Sequence, residues 1–279
     1  MKIKSYKFSA VMCIFFMLAA GGLLFCACGP SAAGRIADRT PPQPAVASAS
    51  PDCTASFAGP YTPQQTVMPA FPSAAAVDDK DAIAYFQEVT LKSEFGGAES
   101  ENIIKRWESP VAFYLAPGYT PEDERVIREH AAYLGTVPGM PELRFVGNEF
   151  EANFCIYFVT QDEMNDYTKE YDEIAWGFVR VWWESGTYRL NYAEARIVTD
   201  TQTQLQRTHA LLEEITQGLG LLNDSRLYPD SIFQTDYYEG VTQLSEMDKK
   251  VIAYLYDPLL HAGMDGETAV SILRAQYLR

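Results

Sequence analysis

The segment His209–Ser225 carries polar side chains at spacings that suit a bound cation or an activated water molecule. Glu213 and Gln217 are four residues apart, so in a helix of about 3.6 residues per turn they share one face. Glu214 is the adjacent carboxylate, and Asn223 follows further along the chain. Carboxylate and amide oxygens favour Ca²⁺ or Mg²⁺ over Zn²⁺, and one carboxylate with two neutral amides would hold either ion weakly.

The frame of this segment resembles the zinc-peptidase helix signature H-E-x-x-H-x-x-G-x-x-H of the metzincins. Glu214 matches the catalytic glutamate, and Gly220 matches the glycine at which the chain turns. Glu213, Gln217 and Asn223 stand where the three histidine ligands would be. The resemblance implies a frame without its zinc ligands, so we expect no zinc and no tightly bound metal. Without a metal, Glu214 lacks the polarised water that it would deprotonate.

Residues further along the chain extend the same resemblance. Pro229–Phe233 resembles the Met-turn of that superfamily, with Phe233 where the methionine would be. Leu244–Asp248 and Leu255–Tyr256 resemble its closing helix, and Ala195–Val198 fits the edge strand that precedes the zinc-binding helix. The implied fold class is α+β, a single zincin-like domain with a mixed sheet and a long central helix.

Four elements resemble a family of bacterial lipoproteins of unknown function, the domain-of-unknown-function family numbered 2927. They are Ser93–Gly96, Lys105–Trp107, Glu213–Leu221 and Leu255–Pro258. The resemblance runs from about Phe86 to Met264 and covers nearly all of the expected domain. It implies no established activity.

An ordinary amphipathic helix is an alternative explanation of the segment around Glu213. The buried face of such a helix would consist of Leu205, Leu212, Ile215 and Leu219. Glu213 and Gln217 would then lie on the opposite side. Gly220 would be a C-terminal cap with a positive φ, and Asn223–Ser225 would form a turn.

The remaining candidate side chains are three histidines and a pair of tryptophans. His209 and Glu213 are an i, i+4 pair that could supply two metal ligands, although a hydrogen bond or salt bridge along the helix explains the spacing as well. His130 is expected at the surface or as a helix cap, and His261 in a loop. Trp182–Trp183 would form a recognition surface if both rings were exposed, but alternation along a strand predicts one buried ring and one half-exposed ring.

Spacing and capping residues predict alternating helices and strands from about residue 78 onward. Helices are predicted at 81–91, 120–134, 201–221, 245–256 and 266–277. Strands are predicted at 111–115, 153–159, 177–183 and 188–198, the last two forming a pair around Ser185–Gly186.

The N-terminus is typical of an exported bacterial lipoprotein. Three lysines precede an uncharged apolar stretch, and Phe25–Gly29 resembles a lipobox with Cys28 as the lipidation site. An uncleaved membrane anchor and plain secretion are the alternatives. Residues 1–27 are therefore expected to be the signal peptide, residues 28–77 a proline-, alanine- and serine-rich disordered linker, and residues 78–279 the folded domain. The expected location is the cell envelope, with the lipid on the periplasmic or extracellular side.

Charge and composition exclude several functional classes. The 279 residues carry a net charge of −15, and removal of residues 1–27 with their three lysines makes it −18. An acidic chain repels phosphate backbones, so no nucleic-acid partner is expected. The sequence also has no G-x-S-x-G motif and no glycine-rich phosphate loop. Cys53 and Cys155 remain after cleavage and could form a disulfide or stay as two thiols.

These observations support one main functional hypothesis and two alternatives. The main hypothesis is an exported lipoprotein that binds a peptide or protein through a non-catalytic, peptidase-like scaffold. The first alternative is a weak metal-dependent hydrolase in which Glu214 is the general base. The second alternative is a structural spacer with no cleft beside the helix.

Overall fold

The computed structural model describes residues 11–12, 77–92, 102–169, 175–235 and 240–278. The expected signal peptide apart from Val11–Met12, the lipobox-like segment with Cys28, the expected linker with Cys53 and the element Ser93–Gly96 lie outside the described residues. In the described ranges, no helix has the length and apolar character needed to cross a membrane. The expected boundaries at residues 27 and 77 therefore stay predictions.

A mixed sheet forms the centre of the fold. Its five longer strands are β2 (Val111–Leu115), β3 (Leu143–Phe145), β4 (Phe154–Val159), β5 (Gly177–Trp183) and β6 (Leu190–Val198), and β1 is the two-residue Val11–Met12. The strand order is β1-β5-β6-β4-β2-β3. Strands β3, β2, β4 and β6 are parallel, whereas β5 is antiparallel to β6. The predicted mixed sheet is confirmed.

One strand does not lie where the sequence predicted it. Ala195–Val198 is part of β6, which pairs with β4 on one side and β5 on the other. The expectation of an edge strand at this position is therefore wrong. The physical reason is the β5–β6 hairpin, which turns at Gly186 with a φ of +84° and places β5 outside β6.

Six α-helices accompany the sheet in the described ranges. They are α1 (Asp79–Leu91), α2 (Pro121–Leu134), α3 (Gln161–Thr168), α4 (Gln204–Gln217), α5 (Glu246–Leu255) and α6 (Gly266–Tyr277). A capping box begins each of α2, α3, α4 and α5, where a threonine or serine side chain accepts a backbone N–H three residues ahead. The five predicted helices are confirmed in position, and α4 is shorter than predicted because it ends before Gly218.

The apolar core lies on both faces of the sheet. Neighbouring strand residues such as Phe178 and Val179, or Ile197 and Val198, belong to different clusters because successive side chains point to opposite faces. The larger cluster joins the sheet to α1, α2, α4, α5 and α6. The smaller cluster lies beneath α3 and contains Met164. As a result, α4 packs against α2, β5 and β6.

Three contacts from distant parts of the chain hold the C-terminal end of α4. Trp107 Nε1 donates to the carbonyl of Gly218 at 2.9 Å, and the Tyr256 hydroxyl donates to the carbonyl of Leu219 at 2.8 Å. Gly220 has a φ of +117°, and a Cβ there would collide with the carbonyl of Lys105. Because helix C-terminal carbonyls lack partners within the helix, these side chains satisfy them and fix where the chain turns.

Arg106 ties the same region to the segment that follows α5. Its guanidinium donates to the carbonyl oxygens of Leu255, Asp257 and Leu260 at 2.8, 3.1 and 3.0 Å. It also lies over the Tyr256 ring, 4.8 Å from the ring centroid. Arg106 and Trp107 of the element Lys105–Trp107 therefore have a structural role, since they join α4 to the C-terminal part of the domain.

Candidate functional site

The central helix α4 is buried almost all round. Its residues from Gln206 to Gln217 are all buried, whereas Leu205 is 57% exposed. The helix packs against β5 and β6 on one side and α2 on another. The expectation of a simple amphipathic helix with Leu205 inside and Glu213 and Gln217 outside is wrong. A helix that is enclosed on several sides buries polar positions as well as apolar ones.

Glu213 lies beside His209 in the interior. The distance from His209 Nε2 to Glu213 Oε2 is 3.6 Å, and the two side chains are 0% and 4% exposed. The other ring nitrogen, His209 Nδ1, is 2.7 Å from the carbonyl oxygen of Val241. The i, i+4 pair therefore forms a contact along the helix, and the Val241 carbonyl fixes the orientation of the imidazole.

Gln217 is directed at a residue that the sequence analysis assigned only to a turn. Its Nε2 donates to Asp224 Oδ1 at 2.6 Å, and Gln217 is fully buried. The Gln217 Oε1 atom is buried and has no hydrogen-bond partner among the described residues. The Nε2 donor of Gln217 is therefore committed to the Asp224 carboxylate, which fixes the orientation of the amide.

Asn223 has a different set of partners. Its Nδ2 donates to the carbonyl of Glu88 at 3.0 Å and to the carbonyl of Asp224 at 2.8 Å, and its backbone N–H donates to Val89 at 3.1 Å. Glu213 thus contacts His209, whereas Gln217 and Asn223 contact the side chain and the backbone carbonyl of Asp224. Within the described ranges, no group of three or more His, Cys, Asp or Glu side chains has the arrangement of a metal site.

Glu214 is buried on a separate flank of α4, against strand β5. Its side chain is 2% exposed and lies on the backbone of Gly177. A Cβ built at Gly177 would be 2.5 Å from Glu214 Oε1 and 2.8 Å from its Cγ. Because Gly177 has no side chain, the Glu214 carboxylate fits against the start of β5, where it is shielded from solvent.

Phe233, the last residue of the segment Pro229–Phe233 that resembles a Met-turn, belongs to a buried polar network whose contacts were not predicted from the sequence. Phe233 is 0% exposed, and its backbone N–H donates to Ser231 Oγ at 3.0 Å. Ser231 Oγ in turn donates to Asp248 Oδ1 at 2.5 Å and is 2.7 Å from the Tyr85 hydroxyl oxygen. Burial raises the pKa of Asp248 to about 6. The capping position of Asp248 after Ser245 was the sole sequence signal for this network.

His130 contacts α4 from the neighbouring helix α2. It is 5% exposed, and its Nε2 is 2.8 Å from Thr216 Oγ1. Burial lowers the pKa of His130 to about 3, so the ring stays neutral at physiological pH. The expectation of a surface or capping histidine is wrong, because α2 presents this face to α4.

The other candidates occupy ordinary structural positions. His261 lies in an exposed loop, as predicted, and Cys155 is a buried free thiol. Trp182 and Trp183 are both half-buried, since the pairing register of β5 shifts between them, and the predicted alternation of one buried ring with one half-exposed ring is wrong. Trp182 packs on Tyr192, with 5.3 Å between ring centroids.

Two open cavities lie outside the cluster of polar residues on α4. One is a groove of about 430 Å³ between α2, the first half of α4 and the loop 242–244. Its lining includes the apolar side chains of Val126, Leu205, Leu212 and Leu244 and polar or charged side chains such as those of Arg125, His130 and Thr208. The other is a pocket of about 510 Å³ at the carboxyl ends of β2 and β3, lined in part by Tyr114, Tyr119 and Phe145. Neither cavity is lined by Glu213, Glu214 or Gln217.

Comparisons with known proteins give one family match. The profile of a family described as "Protein of unknown function (DUF2927)" matches residues 79–275. No curated protein matches the chain. Among solved structures, one titled "Structure of Myroilysin" is 13% identical, with a TM-score of 0.38, and the match covers 66% of this chain and 98% of that one. A second, "Crystal structure of myroilysin", is 12% identical, with a TM-score of 0.37 and coverage of 66% and 97%.

Proposed function

The chain belongs to the DUF2927 family over residues 79–275, and we propose that it is a non-catalytic binding protein built on a zincin-like scaffold. One observation carries the proposal: the polar side chains of α4 are directed into the protein and interact there. Glu213 lies beside His209, Gln217 donates to Asp224, and Glu214 lies on Gly177. Side chains that already have partners inside a closed core are poorly placed to meet a substrate.

The donor set of α4 does not fit a catalytic metal. A zinc site needs imidazole, thiolate or carboxylate groups aimed at one point, with an open position for water. The three expected ligand positions carry one carboxylate, that of Glu213, and two amides, those of Gln217 and Asn223. The N–H groups of the amides donate to Asp224 and to backbone carbonyls. Glu214 lies on another flank, beside β5. We therefore assign no catalytic step to these residues.

We place the binding function in the groove between α2 and α4. It is concave and lined by apolar side chains together with polar and charged ones, a combination that suits a peptide side chain. Leu205 is 57% exposed at the beginning of α4 and offers an apolar contact at the groove. The expected partner is a peptide or protein segment that carries an apolar residue.

The proposal includes export and attachment to the membrane. A lipid on Cys28 would hold the domain at the cell envelope, and residues 28–77 would act as a spacer. The acidic character of the chain is compatible with a protein ligand and unfavourable for nucleic acid.

A peptide-display experiment tests the binding function. Peptides selected on the purified full chain are expected to contain an apolar anchor residue, and the variant Leu205→Glu should bind them at least about tenfold more weakly, since a charge replaces the apolar contact. Leu227→Glu is the matched control, because Leu227 is 60% exposed and does not line the groove. Equal binding by both variants, or no selected peptide, would contradict the proposal.

Elemental analysis separates this function from the hydrolase alternative. The purified chain is incubated with Zn²⁺, Ca²⁺ or Mg²⁺, and unbound ion is removed by gel filtration. We expect less than one equivalent of each ion to remain. Stoichiometric metal that is lost from a Gln217→Ala variant would favour a hydrolase with Glu214 as base, and Glu214→Gln should then abolish its activity.

A further inference from the structure

Phe150 is the most exposed large apolar side chain in the part of the chain that the structure describes. It is 95% exposed, in a short 3₁₀ turn, Glu149–Glu151, between β3 and β4. The other exposed large apolar side chains are between 38% and 60% exposed. A phenyl ring is less favourable in water than in an apolar environment, so contact with a partner would stabilise it.

The turn that carries Phe150 is held in place by its neighbours. The Asn148 side chain accepts the backbone N–H of Phe150 at 3.0 Å, and the Ala152 N–H donates to Glu149 at 3.0 Å. The Tyr157 hydroxyl donates to Glu149 Oε1 at 2.5 Å. Phe150 is therefore presented in a fixed position, which lowers the entropy cost of burying it in an interface.

A pocket suited to a phenyl ring begins three residues earlier on the same loop. It has a volume of about 510 Å³ and is lined by Tyr114, Tyr119, Phe145 and Gly147 among others. A Cβ built at Gly147 would have no atom within 4 Å, so the space beside it is open. Aromatic walls favour an aromatic guest, since rings stack edge-to-face or offset.

The charges around Phe150 and around the pocket are opposite. Glu149 and Glu151 flank Phe150 in the sequence and are exposed. Arg128 lines the pocket with its guanidinium over the Phe145 ring, 4.5 Å from the ring centroid, and it also pairs with Glu124 of α2 at 2.8 Å. In a chain of net charge −15, an arginine in the lining of an aromatic pocket complements an acidic loop.

We infer that two copies of this chain associate by inserting Phe150 of each copy into the pocket at the carboxyl ends of β2 and β3 of the other. Because the protruding ring and the pocket lie on one loop, the contact is self-complementary and closes with two-fold symmetry. Glu149 and Glu151 of one copy then lie near Arg128 of its partner. The inference does not depend on the groove beside α4.

Sedimentation equilibrium of the full chain, in a density-matched detergent, tests this association. The wild type should pass from one copy to two as its concentration rises. Phe150→Glu should weaken the association roughly 100-fold or more, because two rings lose their burial. Gly147→Trp should weaken it similarly by filling the pocket. Leu259→Glu, at a residue that is 56% exposed elsewhere, is the control and should associate like the wild type.

Mixing the two variants distinguishes reciprocal insertion of Phe150 from nonspecific association through exposed apolar side chains. Phe150→Glu keeps an open pocket, and Gly147→Trp keeps its phenyl ring, so an equimolar mixture restores one of the two insertions. The mixture should therefore associate more tightly than either variant alone. A mixture no tighter than its components, or a wild type that stays monomeric at every concentration, would overturn the inference. A monomeric wild type that binds lipid vesicles through Phe150 would also overturn it and identify a membrane as the occupant.

Discussion

Glu214 and Gly177 show how the environment of a residue can decide its role. Glu214 occupies the position of a general base in the peptidase-like frame, yet its carboxylate lies on the backbone of β5. The contact is possible because position 177 has no side chain. The chemistry available to a glutamate is set by its access to water and substrate, and burial at 2% exposure removes both.

We predict that Gly177→Ala destabilises the protein by about 1–3 kcal/mol, because the new Cβ would collide with the Glu214 side chain. The cost should shrink in a Glu214→Ala background, where the colliding atoms are absent. Urea unfolding of the two single variants and the double variant measures this coupling. Gly147→Ala is the control and should change the stability by less than about 0.5 kcal/mol. An equal cost of Gly177→Ala in both backgrounds would show that the two residues do not interact.

Gln217 and Asp224 illustrate what residue spacing leaves open. The i, i+4 relation of Glu213 and Gln217 was correctly expected to place both on one side of the helix. Spacing carries no information on the loop that covers that side, and the partner of Gln217 is Asp224, seven residues away. Residue types and their helical positions could therefore be predicted at this site, whereas their hydrogen-bond partners could not.

At the scale of elements, α2 and α4 were both predicted as helices, but the contact between them was not predicted. His130 of α2 and Thr216 of α4 form a buried contact of 2.8 Å between His130 Nε2 and Thr216 Oγ1. Burial lowers the pKa of His130 to about 3, well below its ordinary value of 6.5. The unfolded chain therefore binds a proton at this residue at a pH where the folded protein does not.

The sign of the resulting pH dependence follows from linkage. Because the pKa of folded His130 is depressed, its contribution to stability is complete above about pH 6.5 and is lost as the pH falls towards 3. In this window the free energy of unfolding should fall by up to about 1.4 kcal/mol per pH unit from this group. His130→Gln keeps a polar contact for Thr216 and should show a shallower slope in urea unfolding from pH 4 to pH 7. His261→Gln, at an exposed histidine, should keep the slope of the wild type, and an unchanged slope in His130→Gln would refute the assignment.

The lengths of the helices and strands explain which of them were not predicted from the sequence. Helices with a capping residue and several turns, such as α2 and α5, have strong periodic signals and were predicted close to their observed bounds. Strand β3 has three residues and α3 has eight, so neither provides enough periods of its pattern. The position of β5 between β1 and β6 was also missed, since strand order depends on pairing between distant segments.

At the scale of the whole molecule, the proposed attachment to the membrane would depend on a single residue, Cys28, outside the described part of the chain. We predict that Cys28→Ala releases the protein from the membrane fraction, because it removes the site of the acyl chains, each CH₂ of which stabilises the membrane-bound state by about 0.8 kcal/mol. Fractionation followed by immunoblotting measures the release. Cys26→Ala is the matched control and should remain in the membrane fraction, since Cys28 would still be lipidated. Retention of Cys28→Ala would favour an uncleaved anchor.

The sequence by itself determined the α+β class, most of the helices and strands, the acidic charge and the absence of imidazoles from the three ligand-like positions. These properties depend on local periodicity and on residue identity, which can be read directly from the sequence. The tertiary structure alone decided that α4 is enclosed on several sides, that Glu214 lies on Gly177 and that Gln217 faces Asp224. The physical reason is that burial and partner choice arise where distant segments pack together, and in this protein those segments surround the helix that carries the peptidase-like frame.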